Sequence, residues 1–190
     1  MNTEREAQAQ GVSRRERILA AALEEFGHKG LHGGSTVTIA AKAKSSHPGL
    51  FRMFPTKKGL FLAVLEQVFA TIGRESVAVD QAAQGDRLQV TVMTWRALME
   101  ERELMLLLVQ GYAASADPDV HDLMCRWTRE TFGGVEDLSR VGADPTHRFF
   151  ATAMVYMVAS CLDLSTRVED EAWVGRLLAS RVGPSWNLDL

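Results

Sequence analysis

Cysteine is nearly absent: Cys125 and Cys161 are the only two in 190 residues. Two thiols cannot build a disulfide framework, and their spacing matches no zinc-ligand pattern. No apolar N-terminal stretch resembles a signal peptide. The longest apolar run, Phe149 to Leu164, is broken by Thr152, Ser160 and Asp163. It is shorter than the roughly 20 residues a membrane span needs. A soluble, cytoplasmic protein that engages no membrane is therefore expected. No period-2 alternation suggests a strand, and no internal repeat is present. Nor is there a glycine-rich phosphate loop, a Ser/His/Asp order or a paired-carboxylate motif, so neither a catalytic centre nor a cofactor nor a metal is expected.

Lysine is missing after position 58. All five lysines (Lys29, Lys42, Lys44, Lys57 and Lys58) fall in the first third of the chain. Residues 1–60 hold ten Lys/Arg against five Asp/Glu, a balance of +5, whereas residues 61–190 hold eleven Arg against nineteen acids, a balance of −8. A basic module joined to an acidic one suggests that the first faces a polyanion and the second avoids one.

What is present is helical throughout. Residues 1–12 are polar and aperiodic and read as a flexible arm. Ser13-Arg14-Arg15-Glu16 fits a capping box. Ile18, Leu19, Ala22, Leu23 and Phe26 follow on one face, with Gly27 and Gly30 as the stop. A second helix runs from Ser35 to about Ala43. A third starts at Ser46, tolerates Pro48 in its first turn and ends near Met53. Thr56 can cap a fourth, whose stripe is Leu60, Phe61, Val64, Leu65, Val68, Phe69 and Ile72. Asp86 opens a segment with Leu88, Val92, Trp95 and Met99, and Leu104 to Val109 suits a buried helix. Asp117-Pro118 and Asp144-Pro145 are helix starts, and Gly133-Gly134 should end the first of these. A last helix spans about Glu169 to Arg181 and stops at Gly183-Pro184. The expectation is an all-α fold of roughly nine helices. It divides into an arm (1–12), a helix-turn-helix head (13–59), a helical effector-binding and dimerisation body (60–184) and a tail (185–190).

In a helix-turn-helix the second helix enters the major groove while the first crosses the backbone. The short third helix would present His47, Pro48, Gly49, Phe51 and Arg52, with Leu50 and Phe54 turned inward toward Ile39 and Ala43. Lys57 and Lys58 stand at a helix N-terminus, where they oppose the macrodipole, an arrangement that makes sense if a phosphate docks there.

The pattern I-A-x-x-A-x-x-S-x-x-x-L-F-x-x-F-P-T-K-x-x-L, from Ile39 to Leu60, resembles the N-terminal domain of the TetR family of transcriptional regulators, and the likeness covers about residues 14–65. It implies a DNA-binding repressor that recognises an inverted-repeat operator as a homodimer and is released by a small molecule. It places Thr36, Val37, His47, Gly49, Phe51 and Met53 on the DNA face, Arg52 at base or phosphate and Lys57 on a phosphate. The chain departs from the family at three contact positions. Lys44 stands where a glycine is usual, at a turn that tends to need positive φ, and its side chain can reach a phosphate. Gly49 replaces a Thr or Ser, and Phe51 a Tyr.

The middle of the chain is rich in Trp and Met. Trp95, Met99, Met105, Met124 and Trp127 suit the lining of a pocket for a largely apolar ligand, with Gln110, Tyr112, Tyr156 and Ser160 as orienting polar groups. The segment from Phe149 is apolar around nearly its whole circumference, so it must bury two faces. With Trp173 and Leu177 of the last helix, its Phe149, Ala153 and Met157 suggest half of a four-helix dimer interface. Two other readings stay open. A redox- or metal-responsive regulator would use Cys125 and Cys161, with His121 four residues before Cys125. A helical enzyme with a vestigial DNA-binding head is the other, kept open by the loss of Tyr and Thr at the DNA face.

Overall fold

The computed structural model describes residues 13–82, 101–139 and 143–178. The expected arm, the Asp86–Met99 segment with Trp95 and Met99, and the stop at Gly183-Pro184 lie outside the described residues. Those residues form eight α-helices: α1 (Arg14–Gly33), α2 (Thr36–Lys42), α3 (His47–Met53), α4 (Lys57–Ala82), α5 (Arg102–Ala113), α6 (Pro118–Ser139), α7 (Ala143–Cys161) and α8 (Ala172–Leu178), with a 3₁₀ turn at Leu164–Arg167. The fold is all-α, as expected, with no strand among the described residues.

The capping box forms at the start of α1. Ser13 Oγ accepts from the Glu16 amide at 3.1 Å, and Glu16 Oε2 accepts from the Ser13 amide at 2.7 Å. Ile18, Leu19, Ala22 and Phe26 are then buried on a helix that packs against α2, α4 and α5. Gly27 does not stop the helix. Its missing side chain instead lets α5 approach, since a Cβ there would lie 3.2 Å from the Glu103 carbonyl and 3.6 Å from Leu106 Cβ. The break comes at Gly30 (φ 68°, ψ −179°), a conformation open to glycine alone. The chain resumes a last turn beyond it.

Three other boundaries differ from expectation. α6 runs through Gly133 and Gly134 to Ser139. Isolated glycines cost a helix about 1 kcal/mol each, and its apolar stripe (Val120, Leu123, Met124, Trp127 and Val135, all buried) outweighs that. α7 begins at Ala143, one residue ahead of the expected cap at Asp144. The residues around Glu169 form turns, and α8 begins only at Ala172.

Burial is continuous between head and body, with a small second cluster around Ala159, Leu164 and Val174. One cluster runs from Ile18 and Phe26 through Leu60, Phe61 and Leu65 of α4 to Leu107, Trp127, Phe149 and Met157. α4 passes from the head into the body as a single 26-residue helix. Phe26 and Phe61 meet edge-on at 5.2 Å where α1 crosses it. No described helix is long and apolar enough to cross a membrane.

Candidate nucleic-acid interface

The turn between α2 and α3 is built by the end of α2. The Ser45 amide reaches back to the Ala40 carbonyl (2.9 Å) and the Lys44 amide to that of Ala41 (3.1 Å), the paired bonds of a Schellman motif. That motif requires a left-handed residue after the cap, and Lys44 supplies it at φ 49°. The positive φ expected at this position is therefore present, carried by a residue with a Cβ. α3 starts on Ser46, whose Oγ accepts from the Gly49 amide at 3.2 Å. Leu50, fully buried, and Phe54, 6 % exposed, anchor it from below.

The start of α2 is fixed from α1. Ser35 caps it by accepting from the Thr38 amide at 3.3 Å. The Ser35 amide itself donates to Glu25 Oε1 at 3.0 Å, and Lys29 Nζ reaches the same oxygen at 2.8 Å. Glu25 is buried. Burial pushes its pKa up, but the hydrogen bonds from Lys29 and the Ser35 amide more than offset this, and the net shift is downward.

The outer face carries most of the expected DNA-contact residues. Val37 is 63 % exposed and Met53 38 %. His47, Pro48, Arg52 and Lys44 are exposed, and Thr36 and Phe51 half-buried. His47 is held between them: its Nε2 lies 3.0 Å from Thr36 Oγ1, and its ring meets that of Phe51 edge-on at 4.8 Å. Gly49 departs from expectation. It is buried, because the Arg14 guanidinium lies over it.

The lysines divide in a way their clustering conceals. Lys29 pairs with Glu25, and Lys42 with Glu24 at 2.6 Å. Lys58 pairs with Asp119 at 2.6 Å and Asp117 at 3.2 Å, both at the start of α6. Lys57 Nζ donates to the carbonyls of His32 (2.9 Å) and Gly34 (3.3 Å), so in this structure it closes the loop after α1. Lys44 and Lys57 have no acidic partner among the described residues, and of the two only Lys57 is engaged by carbonyls. Arginines that the lysine count overshadowed take the prominent places. Arg14 donates through Nε and Nη2 to Ser45 Oγ (3.2 and 2.9 Å), Arg17 Nε reaches the Ala43 carbonyl at 3.4 Å, and Arg15 lies 5.6 Å from the centre of the Phe54 ring. Three arginines in the first turn of α1 thus clasp the turn and the end of α3. The signal for them was Arg14-Arg15-x-Arg17 directly after a capping serine.

The body distributes its expected site residues over several places. Met105, Met124 and Trp127 are buried, and Trp127 stacks on Phe69 of α4 at 4.5 Å. Tyr112 Oη lies 3.4 Å from Thr128 Oγ1, and burial raises its pKa. Gln110 instead fills the space beside Gly30, its Oε1 2.5 Å from where a Cβ would be. Tyr156 Oη donates to the Leu178 carbonyl at 3.2 Å, tying α7 to α8. Ser160 is half-buried.

Of the residues expected at a dimer contact, Phe149, Ala153 and Met157 point into the chain's own interior, because they continue the stripe that packs on the core. Leu177 packs with Ala159, Leu164 and Val174. Trp173 is 46 % exposed, and the other large apolar groups turned outward nearby are Val158, Leu162 and Val168.

Cys125 is exposed, with Sγ 3.4 Å from His121 Nε2. Cys161 is half-buried, and burial raises its pKa. No group of three metal-ligating side chains occurs among the described residues.

Residues 18–64 match the family model of bacterial regulatory proteins, tetR family. No curated protein matches the chain. Among solved structures it is similar to a TetR-family transcriptional regulator from Streptomyces coelicolor (23 % identity, 87 % of this chain and 94 % of that one, TM-score 0.65). Another is a TetR-like transcriptional regulator from Rhodococcus (18 % identity, 87 % and 91 %, TM-score 0.62). A further TetR-family member from Streptomyces coelicolor is 22 % identical over 87 % and 96 %, with TM-score 0.60. At these identities the likeness is one of fold. Residues 18–64 thus match the N-terminal helix-turn-helix domain of the TetR family of transcriptional regulators, and the described helices as a whole follow the fold of solved TetR-like proteins.

Proposed function

We propose that the chain is a one-component repressor that binds an inverted-repeat DNA operator as a cytoplasmic homodimer and is released by a small, largely apolar ligand. The observation that carries this is the outer face of α2 and α3. Val37 and Met53 are exposed apolar groups outside the core cluster, beside a pre-positioned His47 and the exposed cations Lys44 and Arg52. Such a face fits base edges and phosphates of a major groove.

Val158, Leu162, Val168 and Trp173 offer an apolar surface for a second copy. The ligand would enter among the aromatic and methionine side chains of α5, α6 and α7, with Tyr112 as an orienting hydroxyl. Release is a population shift between conformers with differently placed heads. A 100-fold loss of operator affinity needs about 2.7 kcal/mol of differential ligand binding.

The test is a gel shift on the DNA upstream of the chain's own gene, with unrelated DNA as competitor and salt varied. A sequence-specific, salt-sensitive shift is expected. Its absence rejects the regulator reading and leaves the helical-enzyme one. The contact between Cys125 and His121 favours a thiol-responsive variant of the same regulator. An unchanged thiol mass after peroxide treatment rejects that variant.

A further inference from the structure

We propose that Arg14, on α1 and outside the helix-turn-helix itself, is a DNA-phosphate contact built into the recognition surface by Ser45 and by the lack of a side chain at Gly49. The inference rests on the DNA-binding reading above. Position 49 lies on α3, yet its glycine is buried. What buries it is the Arg14 guanidinium: a Cβ at position 49 would fall on Arg14 Nη2 and lie 2.9 Å from its Cζ. Ser45 fixes the group from the side by accepting from Nε and Nη2.

Ser45 is neutral, and Arg14 has no carboxylate partner among the described residues. The nearest acid in sequence, Glu16, is taken up in the capping box. Lys29, Lys42 and Lys58, by contrast, are matched by carboxylates. A guanidinium has five N–H donors, and two are used here, so three remain for an anion. Arg14 is exposed and sits over the turn between the helix that crosses the DNA backbone and the helix that enters the groove. A planar fork held there, with its rotamer already fixed, matches a phosphate. The cavity left by Gly49 is thus occupied by a charge brought from another helix.

The experiment is fluorescence anisotropy with a labelled upstream duplex and an unrelated duplex, over a salt series, for wild type, Arg14→Gln, Arg14→Lys, Gly49→Ala and the pair Arg14→Gln with Gly49→Ala. Circular dichroism checks that each variant folds. Arg14→Gln should lower the slope of log K against log salt by about 0.9 per head, and by about 1.8 if two heads bind. That corresponds to a roughly 30-fold loss at about 0.15 M salt, alike on both duplexes.

Arg14→Lys should keep the slope. Gly49→Ala, a change that favours the helix, should displace the guanidinium and weaken binding. In the Arg14→Gln background the same change should add nothing. An unchanged slope for Arg14→Gln overturns the proposal, as does a loss confined to one sequence, which would make Arg14 a base reader. No binding by wild type to either duplex overturns the regulator reading and this inference with it. Binding by wild type with an indifferent Arg14→Gln overturns the inference alone.

Discussion

Replacing Lys44 separates backbone strain from charge at the centre of the DNA-binding head. Its φ of 49° puts a side chain in the left-handed region, which costs an L-residue about 1–2 kcal/mol. Glycine escapes that cost but gives back about 0.5–1 kcal/mol as extra freedom of the unfolded chain. Lys44→Gly should therefore stabilise the protein by about 0.5–1 kcal/mol. In a chain of this size that raises Tm by about 1–4 °C. Asparagine tolerates the left-handed region and keeps a side chain in the unfolded state, so Lys44→Asn should stabilise too. Lys44→Ala keeps the strain and should leave Tm unchanged. All three variants lose the same charge and should weaken binding to DNA equally, because the phosphate attraction does not depend on φ. Differential scanning calorimetry supplies the first comparison and a salt-dependent binding assay the second. If alanine raised Tm as much as glycine, the gain would come from removing a positive charge, and the strain argument would be refuted.

Glu25→Ala leaves the Ser35 amide without its acceptor and should cost about 2–3 kcal/mol in urea unfolding at neutral pH, whereas Glu25→Gln keeps an acceptor and should cost about half as much. Because the folded pKa of Glu25 is depressed, its contribution is present above the ordinary glutamate range and is lost as pH falls through the folded value. The gap between wild type and Glu25→Gln should therefore close in acid. Gly30→Ala forces a Cβ into a glycine-only conformation and against Gln110; a loss of at least about 2 kcal/mol is expected, and an unchanged melting curve would show that the break lies elsewhere. At Asp117, burial raises the pKa but bonds from Lys58 and from the Asp119 and Val120 amides lower it further, for a net downward shift. Lys58→Ala should move that titration part of the way back up, as followed by carboxyl NMR, and its effect on stability should fade as pH falls through the titration of Asp117.

How much of this was readable from the sequence depended on whether the cause was local. The capping box, the start of α2 near Ser35 and the Ser46 cap are set by residues a few positions apart, and each is found where the pattern placed it, while the positive φ at Lys44 followed from the family resemblance. The lysine cluster misled because charge counts carry no partner. Lys29, Lys42 and Lys58 meet carboxylates 4, 18 and 59 residues away, the last on a different part of the fold. Gly49 misled for the same reason: the group that covers it comes from 35 residues earlier. Gly133 and Gly134 illustrate the opposite error. A local stop signal was outweighed by a buried stripe that continues past it to Val135.

Head and body are joined along three lines of different stiffness, and that difference bears on how a ligand would release DNA. α4 is continuous from Lys57 onward, so bending it breaks helical hydrogen bonds. α1 lies on α5 with Gly27 against the Glu103 backbone and Gly30 under Gln110. Backbone contacts of that kind cannot slide by a change of rotamer. The third line, from Lys58 to Asp117 and Asp119, runs between partly exposed side chains, and such pairs are weak. A ligand that moves α6 relative to α5 therefore meets least resistance at Lys58. Opening that pair leaves the start of α4 held by buried Leu60, Phe61, Val64 and Leu65, so any tilt there has to pivot on the Phe26–Phe61 contact. The Lys57 bonds to the carbonyls of His32 and Gly34 would then carry such a tilt into the loop that leads to α2.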